Sequence, residues 1–119
     1  MNAHEKINYL EFPAKDMVAT REFFKKVFGW KFVDYGPDYC AFSYAGINGG
    51  FFQSTQSMSA KDGSALVVFY SKEIEKTQSK IEQAGGEIIK VLFMFPGGRR
   101  FHFADPNGNE FAVWSAPLV

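Results

Sequence analysis

The chain has 119 residues, and its 13 basic and 13 acidic side chains give a formal net charge of +0 at pH 7. This balance excludes the strongly basic surface of a nucleic-acid-binding protein and gives no reason to expect an anionic membrane as a partner. The first residues lack the apolar core of a secretion signal, and no apolar run approaches the roughly 20 residues that cross a bilayer. We therefore expect a cytoplasmic protein with neither nucleic acid nor membrane as a partner.

The first half of the chain predicts one strand, one helix and then three strands. Asp16 is expected to cap the helix, and Gly29 is expected to end it. Cys40 is the only cysteine, so it cannot form a disulfide within the chain, and we expect a buried, inert thiol. The strands are predicted over residues 7–12, 30–35, 39–44 and 47–53.

The second half predicts the same order of elements, offset by 57 positions. Phe12 then corresponds to Phe69, and Gly29 to Gly86. Ser71 is expected to cap the second helix and the Gly85-Gly86 pair to end it. Strands are predicted over residues 65–70, 87–95, 99–104 and 109–115, and the polar segment 54–63 between the halves has the composition of a linker.

Two segments carry a resemblance to a known family. The turn Asp105-Pro106-Asn107-Gly108-Asn109 between two apolar runs is similar to the closing hairpin of the glyoxalase, bleomycin-resistance and extradiol-dioxygenase superfamily, also called the vicinal oxygen chelate (VOC) superfamily. The segment 8–30 resembles a glyoxalase-related bacterial subgroup of it. The resemblance implies an α+β fold in which two tandem βαβββ modules form one curved eight-stranded mixed sheet, with helices on the convex face and a cavity inside. It also implies one domain over residues 1–119, with module 1 at about 6–54, a linker at about 55–63 and module 2 at about 64–117.

The same resemblance indicates where a metal would be bound in the catalytic members. Those positions correspond here to Tyr9, Leu66, Ala112 and a residue near Phe51 to Gln53. Leucine and alanine have no donor atoms, whereas a divalent metal needs about three or four N, O or S ligands. We therefore predict no metal and no cofactor, with a displaced metal site kept as the alternative.

Strand alternation predicts which side chains face the cavity. If Ala112 points inward, the residues two positions before and after it in the same strand do so as well, and so do the residues that face them on the partner strand. Arg99 then lies on the opposite face as a surface charge. Glu11 is expected on the inward face as well. The ligand-binding residues predicted from this alternation and, for Gln53, from the resemblance are Tyr9, Gln53, Tyr70, Arg100, His102 and Trp114.

Several of these residues have an alternative interpretation without a function. His102 and Glu110 are the candidate catalytic residues as an acid-base pair, but the same two residues also fit an ion pair that only solvates the cavity mouth. Arg100 either binds a carboxylate or phosphate or pairs with a nearby acid. Trp114 suits a planar ligand but also core or dimer-interface packing, and the Gly49-Gly50 pair indicates a bulge or a close approach of chains.

The leading hypothesis is a glyoxalase/bleomycin-resistance-like protein that binds a small molecule in its sheet cavity without the superfamily metal. By analogy with the family we expect a homodimer. The rival hypothesis is a lyase, isomerase or dioxygenase that uses a displaced metal site or His102 as acid or base. A third is a structural module whose cavity is filled by its own aromatic side chains, since the chain contains 14 phenylalanines.

Overall fold

The computed structural model describes residues 2–118, which form two compact units divided between Gln56 and Ser57. Each unit contains one helix and four strands in the order βαβββ. Within the described residues no helix has both the length and the apolar character needed to cross a membrane.

The first unit pairs its strands in the order β1-β4-β3-β2, with β1 parallel to β4 and the other neighbours antiparallel. Asp16 caps its helix as predicted, because its side chain accepts a hydrogen bond from the amide of Ala19 at 3.0 Å. Gly29 ends the helix in the left-handed conformation that glycine adopts most readily. The elements are β1 (Tyr9–Ala14), α1 (Met17–Phe28), β2 (Lys31–Asp34), β3 (Tyr39–Ser43) and β4 (Asn48–Gln53).

The second unit repeats this topology with the order β5-β8-β7-β6. Ser71 is not the N-cap of its helix, contrary to the prediction: Glu73 takes that position, and the Ser71 hydroxyl accepts a hydrogen bond from the Glu73 amide at 3.0 Å. The elements are β5 (Val67–Tyr70), α2 (Ile74–Gln83), β6 (Glu87–Phe95), β7 (Gly98–Ala104) and β8 (Glu110–Ser115).

The predicted α+β class and the repeated βαβββ module are thereby confirmed. The eight strands hydrogen-bond into two four-stranded mixed sheets, where the resemblance implied a single sheet of eight.

Stacked aromatic rings form the core of the first unit. Phe24 stacks on Trp30 with ring centroids 4.4 Å apart, and Trp30 stacks on Phe42 at the same distance. Phe51 packs beside them and is fully buried. Cys40 is also fully buried, with its Sγ 3.8 Å from the Sδ of Met17, and burial raises the pKa of its thiol. The predicted buried thiol is confirmed.

The core of the second unit is formed by side chains at alternate positions of β7 and β8. Phe101, Phe103, Phe111 and Val113 are fully buried, and Phe103 stacks on Phe111 at 5.5 Å. Period-two geometry therefore places the intervening residues of both strands on the other face of the sheet.

Arg99 is not the surface charge that the sequence predicted. Its side chain is only 14% exposed and forms an ion pair with Glu75 of α2. The Nε atom of Arg99 is buried without a hydrogen-bond partner among the described residues. This arginine therefore links the second helix to β7.

The closing turn of the hairpin anchors part of the predicted linker. The buried Asp105 carboxylate accepts hydrogen bonds from the backbone and side-chain nitrogens of both Asn107 and Asn109. Asn109 Oδ1 accepts a hydrogen bond from the Met58 amide at 2.8 Å, and the Ser57 hydroxyl donates to the Asn107 carbonyl at 2.7 Å. The segment after Ser57 is thus held against the hairpin, and a short 3-10 helix, Ala60–Asp62, follows it.

Candidate functional site

The sheet face opposite the second core carries most of the predicted site residues. Arg100 and His102 lie at alternate positions of β7, opposite Trp114 and Ala112 of β8. Val68 and Tyr70 of β5 pair with the same two β8 residues from the other side. The predicted alternation of this hairpin is confirmed, because all of these side chains share one face.

His102 and Glu110 form a close, largely buried pair on this face. Nδ1 of His102 is 2.7 Å from Oε2 of Glu110, and the two side chains are 7% and 12% exposed. The other carboxylate oxygen accepts a hydrogen bond from the Ala60 amide at 3.0 Å. These two hydrogen bonds hold the pKa of Glu110 below its ordinary value, the His102 contact having the larger effect.

The other ring nitrogen of His102 has no partner within the described chain. Nε2 is buried and makes no hydrogen bond. A carboxylate on Nδ1 fixes both the ring orientation and the position of the proton, which leaves Nε2 available for proton transfer or for a hydrogen bond to a ligand. The arrangement can therefore orient a ligand or act as an acid-base group.

Arg100 packs on aromatic rings and pairs with no acid among residues 2–118. Its guanidinium carbon lies 5.5 Å from the ring centroid of Phe93 and 5.8 Å from that of Phe95. Phe93 also packs against His102, with ring centroids 6.0 Å apart. Nε of Arg100 is buried without a hydrogen-bond partner in this part of the chain. A single phenyl ring thus lies against both side chains that have an unsatisfied nitrogen on this face.

Two aromatic side chains extend the same face toward the end of the sheet. Tyr70 and Trp114 pack edge to face, with ring centroids 5.1 Å apart. Tyr70 is 58% exposed, and Trp114 is partly buried.

Glu110 also lines a hollow of about 450 Å³ together with Ala60, Glu87 and Ile89.

Two further predicted residues, Tyr9 and Gln53, belong to the first unit. Tyr9 hydrogen-bonds to the Tyr39 hydroxyl on the face opposite the aromatic core. Gln53 lies two residues after the buried Phe51, and the exposed Phe52 between them points to the other side. Gln53 therefore shares the face of Phe51, which is the face of the sheet opposite Tyr9. Its amide nitrogen donates to the Lys15 carbonyl at 3.1 Å. The structure thus does not place Gln53 on the same sheet face as Tyr9.

A family model for the Glyoxalase/Bleomycin resistance protein/Dioxygenase superfamily matches residues 6–113, which is most of the chain. The chain belongs to this superfamily. The match spans both modules, and the recognition made from the two sequence segments is confirmed. Among curated proteins the sequence comparison finds no match.

Several solved structures have the same fold. A glyoxalase-related enzyme from Fulvimarina pelagi is 17% identical, with a TM-score of 0.77 and coverage of 96% of this chain and 90% of that chain. A variant of the fosfomycin resistance protein FosX from Listeria monocytogenes, complexed with Mn(II) and 1S,2S-dihydroxypropylphosphonic acid, is 18% identical (TM-score 0.79; 98% and 94% covered). A Burkholderia phytofirmans protein of the same superfamily is 18% identical (TM-score 0.76; 92% and 97% covered). At these identities the likeness concerns the fold alone.

The residues of this superfamily member do not fit the metal site that the resemblance implied. In the second module the implied positions are Leu66 and the buried Ala112, and neither side chain has a donor atom. In the first module, Gly50 takes the place of Ala112, because it pairs with Glu11 just as Ala112 pairs with Val68. The first-module counterpart of Ala112 is thus Gly50, which has no side-chain donor, and not a residue near Phe51 to Gln53. Across residues 2–118 no three His, Cys, Asp or Glu side chains converge as a metal site would require.

Sequence reasoning missed two side chains that shape these faces. Phe93 contacts Arg100 and His102 from β6, whose register with β7 shifts twice between Ile88 and Phe93. Simple alternation does not show such irregularities. Tyr39 of β3 forms hydrogen bonds with residues of β1, although β4 lies between these two strands. This contact can be recognised only once the order of the strands in the sheet is known. The Gly49-Gly50 pair was the available signal, since adjacent glycines in a strand indicate close approach.

Proposed function

We propose that the chain is a metal-independent small-molecule-binding protein of its superfamily, and that the second module binds a ligand with an anionic group and a planar apolar part. Arg100 would bind the anion, His102 would donate or accept a hydrogen bond through Nε2, and Tyr70 and Trp114 would contact the apolar part. Tyr9 remains a proposed ligand contact of the first module, with no proposed role for Gln53.

One observation carries this proposal: two side chains of one sheet face each have a buried nitrogen without a hydrogen-bond partner among the described residues. These atoms are Nε of Arg100 and Nε2 of His102. A buried polar group left without a partner costs about 1–3 kcal/mol, so a ligand that satisfies both nitrogens gains a corresponding advantage. An anion is favoured because the guanidinium has no acidic partner in residues 2–118, and arginine binds carboxylates and phosphates in a bidentate manner.

The surrounding residues support the same ligand class. Lys90 lies over the Phe93 ring at 4.8 Å and adds a second positive charge near this face, where Glu110 is already paired with His102. The edge-to-face pair of the exposed Tyr70 and the partly buried Trp114 offers apolar surface to a ring. The Listeria protein, which has the same fold, is complexed with a phosphonic acid together with Mn(II), so this fold can hold a small anionic ligand.

The test is a titration of the 15N-labelled protein with benzylphosphonate and with phenylpyruvate, using benzyl alcohol as the neutral probe. We expect both anions to shift the Arg100 and His102 resonances in a saturable manner and the alcohol to have little effect. Arg100→Met should weaken anion binding by about tenfold or more, which corresponds to about 1.4 kcal/mol. Arg99→Met is the matched control, because it makes the same change at the adjacent residue on the opposite face. Equal binding by wild type and Arg100→Met would contradict the proposal.

A second candidate is a lyase or isomerase in which His102 acts as general base. The specific support is the 2.7 Å contact between His102 and Glu110, which leaves Nε2 without a partner in the described chain. An enzyme of this kind would accelerate exchange of the C3 protons of phenylpyruvate for deuterium above the buffer rate. The acceleration should disappear in His102→Gln even at a saturating concentration of phenylpyruvate, and exchange at the buffer rate by the wild type would count against this candidate.

The homodimer implied by the family also remains a proposal. Sedimentation equilibrium at several protein concentrations tests it directly. A mass near twice the 13.4 kDa of one chain is the expected result, and a single species near 13.4 kDa would contradict it.

A further inference from the structure

The first module has a polar cluster of its own, formed by Tyr9, Glu11 and Tyr39. Tyr9 and Glu11 lie on β1 and Tyr39 on β3, and β4 runs between these two strands. The hydroxyl oxygens of the two tyrosines are 2.6 Å apart, and the Tyr39 hydroxyl donates to Oε2 of Glu11 at 2.8 Å. Three side chains from strands that are not neighbours therefore meet above the middle strand.

Gly50 permits this crossing. A Cβ at position 50 would lie 2.1 Å from the Tyr39 hydroxyl oxygen and 2.4 Å from the adjacent ring carbon, Cζ. Any side chain at this position would therefore push Tyr39 off the sheet. The cluster thus depends on a glycine that pairs directly with Glu11.

The direction of the hydrogen bonds fixes the chemistry of the cluster. A phenol has one proton, and that of Tyr39 is donated to Glu11, so the contact between the two hydroxyls requires Tyr9 to donate to Tyr39. Burial and these two hydrogen-bonding neighbours raise the pKa of Tyr39, which keeps its hydroxyl protonated. Both phenolic protons are used, and the cluster has only acceptor sites left to offer.

The cluster also carries a negative charge that no basic side chain in residues 2–118 neutralises. No Lys, Arg or His nitrogen in that range forms an ion pair with Glu11. The cluster remains accessible, since Tyr9 is 43% exposed and Glu11 is exposed. Phe52, which is 38% exposed and pairs with Tyr39, adds an aromatic ring on the same face.

We infer that the Tyr9–Glu11–Tyr39 cluster binds the ammonium or guanidinium group of a small organic cation. Such a group supplies the N–H donors that an acceptor-only cluster lacks, and its charge matches the unpaired carboxylate. The aromatic rings beside Glu11 favour an organic cation further, because cations are attracted to ring faces. A divalent metal fits less well, since it requires more charged oxygen ligands than one carboxylate and two protonated phenols provide.

The experiment is a titration of the 15N-labelled full chain with benzylammonium, with benzyl alcohol as the neutral probe of the same shape. We expect saturable shifts of the Glu11, Tyr39 and Gly50 amides with a Kd of about 1 mM, which corresponds to about 4 kcal/mol. Glu11→Gln keeps the size of the side chain and should weaken binding by about tenfold. Glu22→Gln removes an exposed carboxylate from α1 and serves as the matched control, with binding unchanged.

Two results would overturn the inference: benzylammonium shifts that do not saturate, or the same affinity in Glu11→Gln as in wild type. The amide spectrum of each variant reports at the same time whether it is folded. The inference does not depend on anion binding by the second module, and Arg100→Met separates the two. That variant should lose benzylphosphonate binding and keep benzylammonium binding.

Discussion

The ring of Tyr39 lies across the backbone of Gly50 and occupies the space of a missing side chain, since a Cβ at position 50 would be 2.1 Å from the Tyr39 hydroxyl oxygen. The neighbouring Gly49 faces the aromatic core, where its Cβ would meet the Leu10 carbonyl oxygen at 2.2 Å and the Phe42 ring at 2.4 Å. One glycine therefore accommodates the polar cluster and the other accommodates the core. Substitution of each has a different expected result.

Gly49→Ala should destabilise the protein more than Gly50→Ala. The clash at position 49 is with backbone and with a buried ring, neither of which can move freely, and we expect a loss of about 2 kcal/mol or more in the free energy of unfolding. The clash at position 50 is with a partly exposed tyrosine that can rotate away. Urea unfolding monitored by tryptophan fluorescence measures both. A larger loss in Gly50→Ala than in Gly49→Ala would contradict this assignment of the two faces.

Asn109→Ala should release the segment that follows Ser57. The buried Asn109 side chain accepts from the Met58 amide and donates to the Asp105 carboxylate, so its loss leaves partners unsatisfied at a cost of about 1–3 kcal/mol for a buried group. We expect faster hydrogen exchange at the Met58 and Ala60 amides, measured by mass spectrometry after proteolysis. Unchanged exchange at these amides would show that the segment is held by other contacts.

Cys40 should resist thiol reagents in the native state. The side chain is fully buried, and burial raises the pKa of its thiol, so little of the reactive thiolate is present or accessible. We expect reaction with Ellman's reagent at pH 7 only as fast as the protein unfolds, and immediate reaction in urea. A native-state rate proportional to reagent concentration and close to that in urea would contradict the predicted burial.

The sequence was sufficient for the features that depend on local pattern. Period-two alternation in β7 and β8 correctly separated the core side chains, such as Phe103, from Arg100 and His102 on the opposite face. Turn residues and a helix cap such as Asp16 also have strong local signals. Local pattern failed where the relevant contact lies several strands or residues away.

Arg99, Ser57 and Tyr39 illustrate that limit. Arg99 pairs with a helix residue 24 positions earlier, and the Ser57 hydroxyl bonds to a carbonyl 50 positions later. Tyr39 reaches Glu11 across an intervening strand, which requires the sheet order to be known. The Glu110 carboxylate shows both cases, because its contact with His102 follows from the hairpin whereas its bond to Ala60 does not.

The paired Glu110 carboxylate should make stability depend on pH in a defined direction. Its pKa is lowered in the folded protein, so the folded state binds fewer protons than the unfolded chain between the two pKa values, and stability rises with pH there. The contribution is fully present above the unfolded pKa of about 4.3 and is lost as the pH falls through the lower folded value.

Glu110→Gln should therefore lower the free energy of unfolding by about 1–2 kcal/mol at pH 7 and by less at acid pH, as measured by urea unfolding at both pH values. Glu82→Gln, an exposed glutamate of α2, is the control and should leave the pH dependence as in wild type. An equal cost of Glu110→Gln at pH 7 and at acid pH would mean that the His102 contact does not depend on the charge of Glu110.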